Sequence, residues 1–283
     1  MIRVLTALVL ALGLTACGAP SAKAADAGAK IVTYSAPGSP RLLRGLVYKP
    51  PGPGPFPTVL FNHGSAPSLL NNQAFDALGP MFVAHGWAFF APYRRGQGLS
   101  QEAGPYILDE ISAARARGGA SAAIDTLVSL LSADHLDDQK AAFDWLRAQP
   151  FVQTDRVAVM GNSFGGVETL LGAGQLRYCA AVDASGGAES WSQAPALREA
   201  MLSAVGRIEI PVMFFQARND YDTAPSVSLH AAMIAAGKPA KLILYPAYGS
   251  TEREGHSFAY RGVSVWEPDV LTFLTSACPS KAH

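Results

Sequence analysis

Charged residues are scarce in this chain. Asp, Glu, Lys and Arg make up 16% of its 283 residues, and 22 basic side chains balance 22 acidic ones. Such a surface gives no electrostatic basis for binding nucleic acid. Hydrophobic residues make up 49% of the chain, which is enough for one large globular domain with a well-buried core.

Motifs for metals and cofactors are also missing. Cysteine occurs three times without metal-ligand spacing, and no cluster of His, Asp and Glu suggests a metal site. There is no glycine-rich phosphate cradle and no dinucleotide fingerprint. The sequence therefore predicts chemistry that requires no metal and no cofactor.

The apolar run at the start of the chain is short. Val4–Leu14 follows Arg3, and it falls well below the ~20 residues that a bilayer span needs, so it is predicted to be a signal peptide. Leu14-Thr15-Ala16-Cys17 resembles a bacterial lipobox, which predicts removal of residues 1–16 and a lipid on Cys17. Ala22-Lys23-Ala24 offers an alternative cleavage site after residue 24.

The segment that follows is rich in alanine and other small residues. Residues 17–30 are predicted to be a flexible tether to a domain over residues 31–283. The expected location is outside a bacterial cytoplasm, as a lipoprotein of the outer membrane or periplasm, or otherwise as a secreted protein. Membrane contact is expected only through the lipid anchor.

Two cysteines remain in the predicted domain. An oxidising compartment permits a disulfide between Cys179 and Cys278, which would staple the C-terminal helix to the sheet. Two separate buried thiols are the alternative, because the sequence does not show whether the two Cα atoms lie close enough.

Short strand-like runs alternate with helical stretches over most of the domain. This alternation predicts an α/β fold with a mostly parallel central sheet and helices on both faces. The predicted strands cover residues 31–34, 42–48, 58–62, 88–92, 157–160, 180–183, 212–216 and 242–245.

The most informative motif is Gly161-Asn162-Ser163-Phe164-Gly165-Gly166. It follows the strand-like run Arg156–Met160 and precedes the helical stretch Val167–Gly174. A strand, a tight Gly-x-Ser-x-Gly turn and a helix form a nucleophile elbow, which lifts the serine hydroxyl clear of the sheet. Ser163 is therefore the candidate nucleophile.

On these residues the chain resembles the α/β-hydrolase superfamily, and within it the dienelactone-hydrolase-like group of serine esterases. The resemblance covers about residues 40–277 and rests on residues 62–65, the elbow, Asp220 and Gly255-His256. It departs at one position, since dienelactone hydrolases carry a cysteine nucleophile where this chain has Ser163. The departure favours a general serine esterase over an enzyme that acts on dienelactone.

The superfamily order of serine, acid and histidine is met by residues after the elbow. Asp220 follows the strand-like run 210–216, and His256 lies in a polar loop after the next one. In such a site His256 takes the proton of Ser163, and the acid orients the imidazole. Asp220 fits the family spacing better than Asp222, which is the alternative. A surface or packing role is expected for His85, His135 and His230.

The resemblance also implies an oxyanion hole. His63-Gly64-Ser65 looks like the His-Gly motif of the family, in which the Ser65 N–H faces the substrate. The second donor is expected to be the N–H of Phe164, directly after the nucleophile.

Residues beside the catalytic positions are the candidates for substrate contact. Tyr221, Tyr248 and Phe258, with the side chain of Phe164, are predicted to line the pocket because each neighbours a catalytic residue in the sequence. The glycine-rich loop Arg94–Ser100 resembles a loop of serine peptidases and acyl-ester hydrolases on this fold. It is either a substrate contact or an ordinary loop after a strand.

Residues 101–135 exceed the minimal pattern of the fold. Ile124, Leu127, Val128 and Leu131 have the spacing of an amphipathic helix. The segment is predicted either to cap the active site and set the size of the acyl group, or to form a peripheral helix packed on the sheet.

Together these patterns predict a serine hydrolase that cleaves small carboxylic esters through an acyl-enzyme. A serine peptidase of the same fold is the alternative within this chemistry. A catalytically silent, surface-anchored binding protein is the alternative outside it.

Overall fold

The structure is a computed structural model that describes residues 28–36, 38–65 and 73–280. The predicted signal peptide, the lipidation site Cys17 and most of the predicted tether lie outside these described residues. None of the helices in the described ranges is both long and apolar enough to cross a lipid bilayer.

The described residues contain one eight-stranded sheet. Its strands are β1 (Lys30–Tyr34), β2 (Leu43–Tyr48), β3 (Phe56–Asn62), β4 (Ala88–Pro92), β5 (Val152–Asn162), β6 (Ala181–Ala184), β7 (Val212–Ala217) and β8 (Ala240–Tyr245). Their spatial order is β1-β2-β4-β3-β5-β6-β7-β8. The pairs β1–β2 and β2–β4 are antiparallel, and all the other neighbours run parallel. The predicted, mostly parallel sheet is confirmed.

Helices cover both faces of this sheet. They are α1 (Gln73–Ala84), α2 (Ile107–Ser132), α3 (Asp134–Arg147), α4 (Phe164–Ala173), α5 (Pro195–Arg207), α6 (Ala224–Ala235), α7 (Glu252–His256), α8 (Phe258–Arg261) and α9 (Val263–Ala277). A short 3-10 helix spans Gly98–Ala103. Successive strand residues point to opposite faces, so the strands contribute to two separate hydrophobic cores. In β3, Leu60 joins the core under α2–α6, whereas Val59 and Phe61 join the core under α1, α8 and α9.

The predicted cap segment is largely helix α2. Its backbone breaks at Gly119, where φ is +74°. The later half, with Leu127 and Leu131 buried, belongs to the core on the α3–α6 side of the sheet. At the other end, Leu108 lines the cavity that holds Ser163. Only the start of α2 therefore lies at the candidate site, and an influence of this segment on acyl-group size stays a prediction.

Of the two alternatives for the cysteines, the structure has the disulfide. Cys179 precedes β6, Cys278 follows α9, and their Cα atoms are 5.3 Å apart. The bridge attaches the end of the C-terminal helix to the sheet.

Candidate active site

The turn between β5 and α4 has the predicted elbow geometry. Ser163 lies between the two elements with φ 59° and ψ −123°, a conformation that is strained for a residue with a side chain. Its N–H donates to the carbonyl of Ala184 at 3.1 Å, which anchors the turn to β6. The strain is therefore held by the surrounding structure, and it places the half-buried Ser163 at the carboxyl end of the central strands.

Close backbone packing explains the glycines of this motif. A Cβ built on Gly165 would overlap the carbonyl oxygen of Asn62 at the end of β3. A Cβ built on Gly161 would overlap the carbonyl of Gly165 itself. These glycines bring the start of α4 into contact with the loop after β3, which carries the predicted oxyanion donor.

His256 lies at the end of α7, and its side chain contacts the loop after β7. Its Nδ1 is 2.8 Å from Oδ1 of Asp220, whose side chain is fully buried. The Tyr221 N–H and the Gln216 amide also donate to the Asp220 carboxylate, at 2.7 and 3.1 Å. Asp222 instead accepts the N–H of Ala224, at 2.8 Å, where α6 begins. Of the two candidate acids, Asp220 is the one that contacts His256.

The side chain of Asn219 links the loop after β7, which carries Asp220, to the segment that precedes α7. The side chain of Asn219 donates to the carbonyls of Tyr248 and Thr251 at 3.0 Å, and it accepts the Tyr248 N–H at 2.8 Å. Helix α7 then starts with a capping box between Thr251 and Glu254. The sequence predicts a polar loop around His256, whereas in the structure this segment is a short helix that begins at the capping box.

Ser163 and His256 line one cavity of about 580 Å³. Among the described residues, Nε2 of His256 has no hydrogen-bond partner, so it is not bonded to the Ser163 hydroxyl. Such contacts are often long before substrate binds. The other lining residues are Phe61, His63, Gly64, Ser65, Gln73, Ala74, Phe75, Leu108, Asn162, Glu189, Tyr221, Arg253, Glu254, Ser257, Tyr260 and Arg261.

The predicted oxyanion donors lie in the loop after β3 and at the start of α4. Gly64 is so close to the nucleophile that a Cβ on it would be 3.5 Å from Cβ of Ser163. Ser65 lines the cavity, and its carbonyl accepts a hydrogen bond from the Tyr106 hydroxyl. Phe164 is the first residue of α4, so its N–H has no acceptor within the helix.

Of the aromatic residues predicted to line the pocket, only Tyr221 does so. Its ring centroid is 5.2 Å from that of His256. Phe258 is 2% exposed and packs on Tyr245 in the core, with ring centroids 5.1 Å apart. Tyr248 also packs on Phe258, with ring centroids 5.5 Å apart. Tyr248 and Phe258 are therefore corrected to packing residues.

Phe164 needs a similar correction for its side chain. That side chain is 8% exposed and belongs to the core on the α3–α6 side. Its predicted role as an oxyanion donor concerns the backbone N–H and is independent of this packing.

The cavity also has a charged rim that sequence proximity did not indicate. Glu189 comes from the loop after β6, and Arg253 and Arg261 come from α7 and α8. Burial, and next the charge of Glu189, raise the pKa of the Tyr221 hydroxyl above its ordinary value. No group of three or more His, Cys, Asp or Glu side chains in the described ranges is arranged to hold a metal ion.

Arg94 and Arg95, which open the glycine-rich loop after β4, do not line this cavity. Arg94 is 5% exposed, forms an ion pair with Glu168 of α4 at 2.6 Å, and donates to the carbonyl of Gly64 at 2.7 Å. Arg95 is equally buried and pairs with Asp138 at 2.6 Å. Both arginines therefore serve as buried structural links.

Solved structures with the same architecture include esterases and peptidases. An esterase from Pyrococcus furiosus aligns with a TM-score of 0.64 at 15% identity, covering 93% of this chain and 96% of its own. The esterase Est22 aligns with a TM-score of 0.64 at 13% identity, covering 89% of this chain and 81% of its own. Identity this low establishes similarity of fold alone.

A longer protein shares the fold as well. The acylaminoacyl peptidase of Pyrococcus horikoshii aligns with a TM-score of 0.63 at 14% identity. The alignment covers 90% of this chain but only 42% of the peptidase, so the chain spans about two fifths of the length of that protein.

Comparison by sequence gives a family. No curated protein matches the chain significantly. The family model described as "Dienelactone hydrolase family" matches residues 43–272, a range that includes the elbow, the His256–Asp220 pair and most of the sheet. With an α/β-hydrolase architecture and this match over most of its length, the chain belongs to the dienelactone hydrolase family.

Proposed function

We propose that the chain is a serine esterase that hydrolyses small carboxylic esters. The observation that carries the proposal is the His256–Asp220 pair, whose unpartnered Nε2 borders the same cavity as Ser163. An imidazole held in this way can accept the proton of a serine, and a half-buried serine that lines the cavity is the group that needs such a base.

The proposed reaction has two halves. Ser163 Oγ attacks the ester carbonyl while its proton passes to Nε2 of His256, and the N–H groups of Ser65 and Phe164 bind the oxyanion. Collapse breaks the bond to the alcohol, which leaves with the proton held by His256. Water then attacks the acyl-enzyme with His256 as base, which releases the carboxylic acid and restores Ser163.

Two other functions remain as alternatives. The first alternative is a serine peptidase of the same fold. The acylaminoacyl peptidase is a structural neighbour of this chain, but the chain covers less than half of that protein. A silent binding protein would have no need for a buried acid bonded to His256.

Reaction with a fluorophosphonate tests this proposal. The purified protein is expected to be labelled at one site, and Ser163→Ala is expected to remain unlabelled while melting at the same temperature. A panel of p-nitrophenyl esters and peptide p-nitroanilides then separates esterase from peptidase. A folded wild-type protein that resists labelling and hydrolyses neither panel would favour the binding protein.

We also propose export and lipidation at Cys17. The Cys179–Cys278 disulfide supports an oxidising compartment. When the full chain is expressed in a bacterium, wild type is expected in the membrane fraction and Cys17→Ala in the soluble fraction. An identical distribution of the two proteins would contradict lipid anchoring.

A further inference from the structure

We propose that Arg94, together with Glu168, is a positioning residue that orients the Ser65 N–H as an oxyanion donor. The inference rests on the proposed esterase function. Arg94 lies outside the cavity, so it would act on the reaction only through the backbone of the His63-Gly64-Ser65 loop.

The first step of the argument is the carbonyl of Gly64. It accepts from Nη2 of Arg94 at 2.7 Å and is 2.6 Å from Nδ1 of His63. The backbone N–H of Arg94 donates to Nε2 of His63 at 3.2 Å, so the neutral ring carries its proton on Nδ1. Burial, and next the Arg94 charge, lower the pKa of His63 well below its ordinary value, which keeps this ring neutral. Two donors therefore hold the Gly64 carbonyl.

The second step is the planarity of the peptide group. The Gly64 carbonyl and the Ser65 N–H belong to one trans peptide, in which C=O and N–H point in opposite directions. Donors that hold the carbonyl on the Arg94 side direct the N–H away from Arg94. Gly64 and Ser65 line the cavity with Ser163, so that is where an inward N–H can meet an oxyanion.

The third step is the link to α4. Nη1 of Arg94 pairs with Oε2 of Glu168 at 2.6 Å, and both side chains are almost fully buried. Glu168 lies in the helix whose first N–H, that of Phe164, is the second proposed donor. The ion pair thereby connects the loop of one donor to the helix of the other.

Other charged and titratable groups near Glu168 do not replace Arg94. His135 is 3.6 Å from Glu168, but burial lowers its pKa to about 2, so it is uncharged. Asp138 carries the same charge as Glu168 and pairs with Arg95. Arg95 has no hydrogen bond or ion pair to the His63–Ser65 loop; it bonds to the carboxylates of Asp138 and Asp134 and to the carbonyl of Asp134. The Arg95–Asp138 pair is therefore a matched control of similar burial.

The test compares two double variants, Arg94→Met/Glu168→Gln and Arg95→Met/Asp138→Asn. Each removes one buried positive and one buried negative charge, so neither leaves a lone buried ion. Hydrolysis of p-nitrophenyl butyrate is measured at pH 8, above the value of about 7 to which burial raises the pKa of Glu168. Inhibition by a trifluoromethyl ketone, whose adduct with serine places an oxyanion in the hole, is the second readout.

For Arg94→Met/Glu168→Gln we expect kcat to fall about 10- to 100-fold with KM within about threefold of wild type, because one oxyanion donor is misdirected rather than deleted. Trifluoromethyl ketone affinity should fall by a similar factor. For Arg95→Met/Asp138→Asn we expect both quantities within about threefold of wild type. Equal losses of kcat in the two variants, or unchanged kcat in the first, would overturn the proposal.

If Arg94→Met/Glu168→Gln does not fold, Arg94→Lys takes its place. Lysine keeps a positive charge beside Glu168, but a single ammonium cannot reproduce the several bonds of the guanidinium. It is expected to melt near wild type with kcat lowered about tenfold, and an unchanged kcat in folded Arg94→Lys counts against the proposal. Wild-type activity and labelling are measured first, so failure of the esterase function itself would be recognised independently.

Discussion

Asp220→Asn is expected to lower kcat for p-nitrophenyl butyrate by about 10⁴ while the protein stays folded. The Asp220 carboxylate accepts from Nδ1 of His256 at 2.8 Å, which leaves Nε2 as the proton acceptor. An amide at this position can donate to Nδ1 and so favours the tautomer with its proton on Nε2. In serine hydrolases with this arrangement such a change costs about 10⁴ in kcat. The measurement is steady-state kinetics together with thermal melting.

Asp222→Asn is the matched control for this prediction. Asp222 is two residues away, and its carboxylate accepts the N–H of Ala224, the first residue of α6. The side-chain oxygen of asparagine can accept the same N–H, so we expect kcat within about threefold of wild type and little change in melting temperature. A fall in kcat of less than tenfold in Asp220→Asn would contradict the assignment of the acid. A larger fall in kcat in Asp222→Asn than in Asp220→Asn would also contradict it.

Gly165→Ala is expected to have the second-largest effect, on stability and activity together. The added Cβ would overlap the backbone carbonyl of Asn62, which cannot move away as a flexible side chain could. Overpacking of this kind typically costs 1–3 kcal/mol, and we expect about 3 kcal/mol because the obstacle is backbone. Displacing β3 from α4 also separates the two proposed oxyanion donors, so kcat should fall about 10²–10³-fold.

Gly206→Ala provides the comparison. Gly206 lies in α5, and a Cβ on it would have no heavy atom within 4 Å. Alanine is favoured over glycine in a helix, so this variant should gain roughly 0.5–1 kcal/mol. Urea unfolding followed by circular dichroism measures both variants. Equal unfolding midpoints for the two would show that close packing at the elbow is not limiting.

Local sequence patterns were sufficient to predict the sheet and the elbow. Each predicted strand lies in an observed one or differs from it by about a residue at an end, because runs such as Ala88–Pro92 are buried and bounded by turns. The elbow was predictable because strand, glycines and helix are contiguous. Asp220 and His256 are far from Ser163 in the sequence. Their positions after strands were sufficient to predict that they lie near Ser163, because parallel strands place their carboxyl ends at one edge of the sheet.

The prediction that Phe258 lines the pocket was wrong because closeness in sequence does not place two side chains on the same side of a helix. Phe258 lies two residues after His256, and the backbone stays nearly helical through Ser257, with φ −80° and ψ −1°. Residues two apart on a helix point to opposite sides, so one side chain borders the cavity and the other is buried in the core. The Arg94–Glu168 pair joins residues 74 apart in the chain. No local pattern marks such a contact.

The disulfide closes part of the chain into a covalent ring. Cys179 and Cys278 close a covalent ring over a sequence separation of 99, which encloses Asp220 and His256 but excludes Ser163. In the chain-entropy view, closing a ring of this size disfavours the unfolded state by about 4–5 kcal/mol. A protease that nicks any surface loop inside the ring leaves both pieces covalently joined. Asp220 and His256 therefore remain tethered to the sheet after a single cut, which would suit the proposed export.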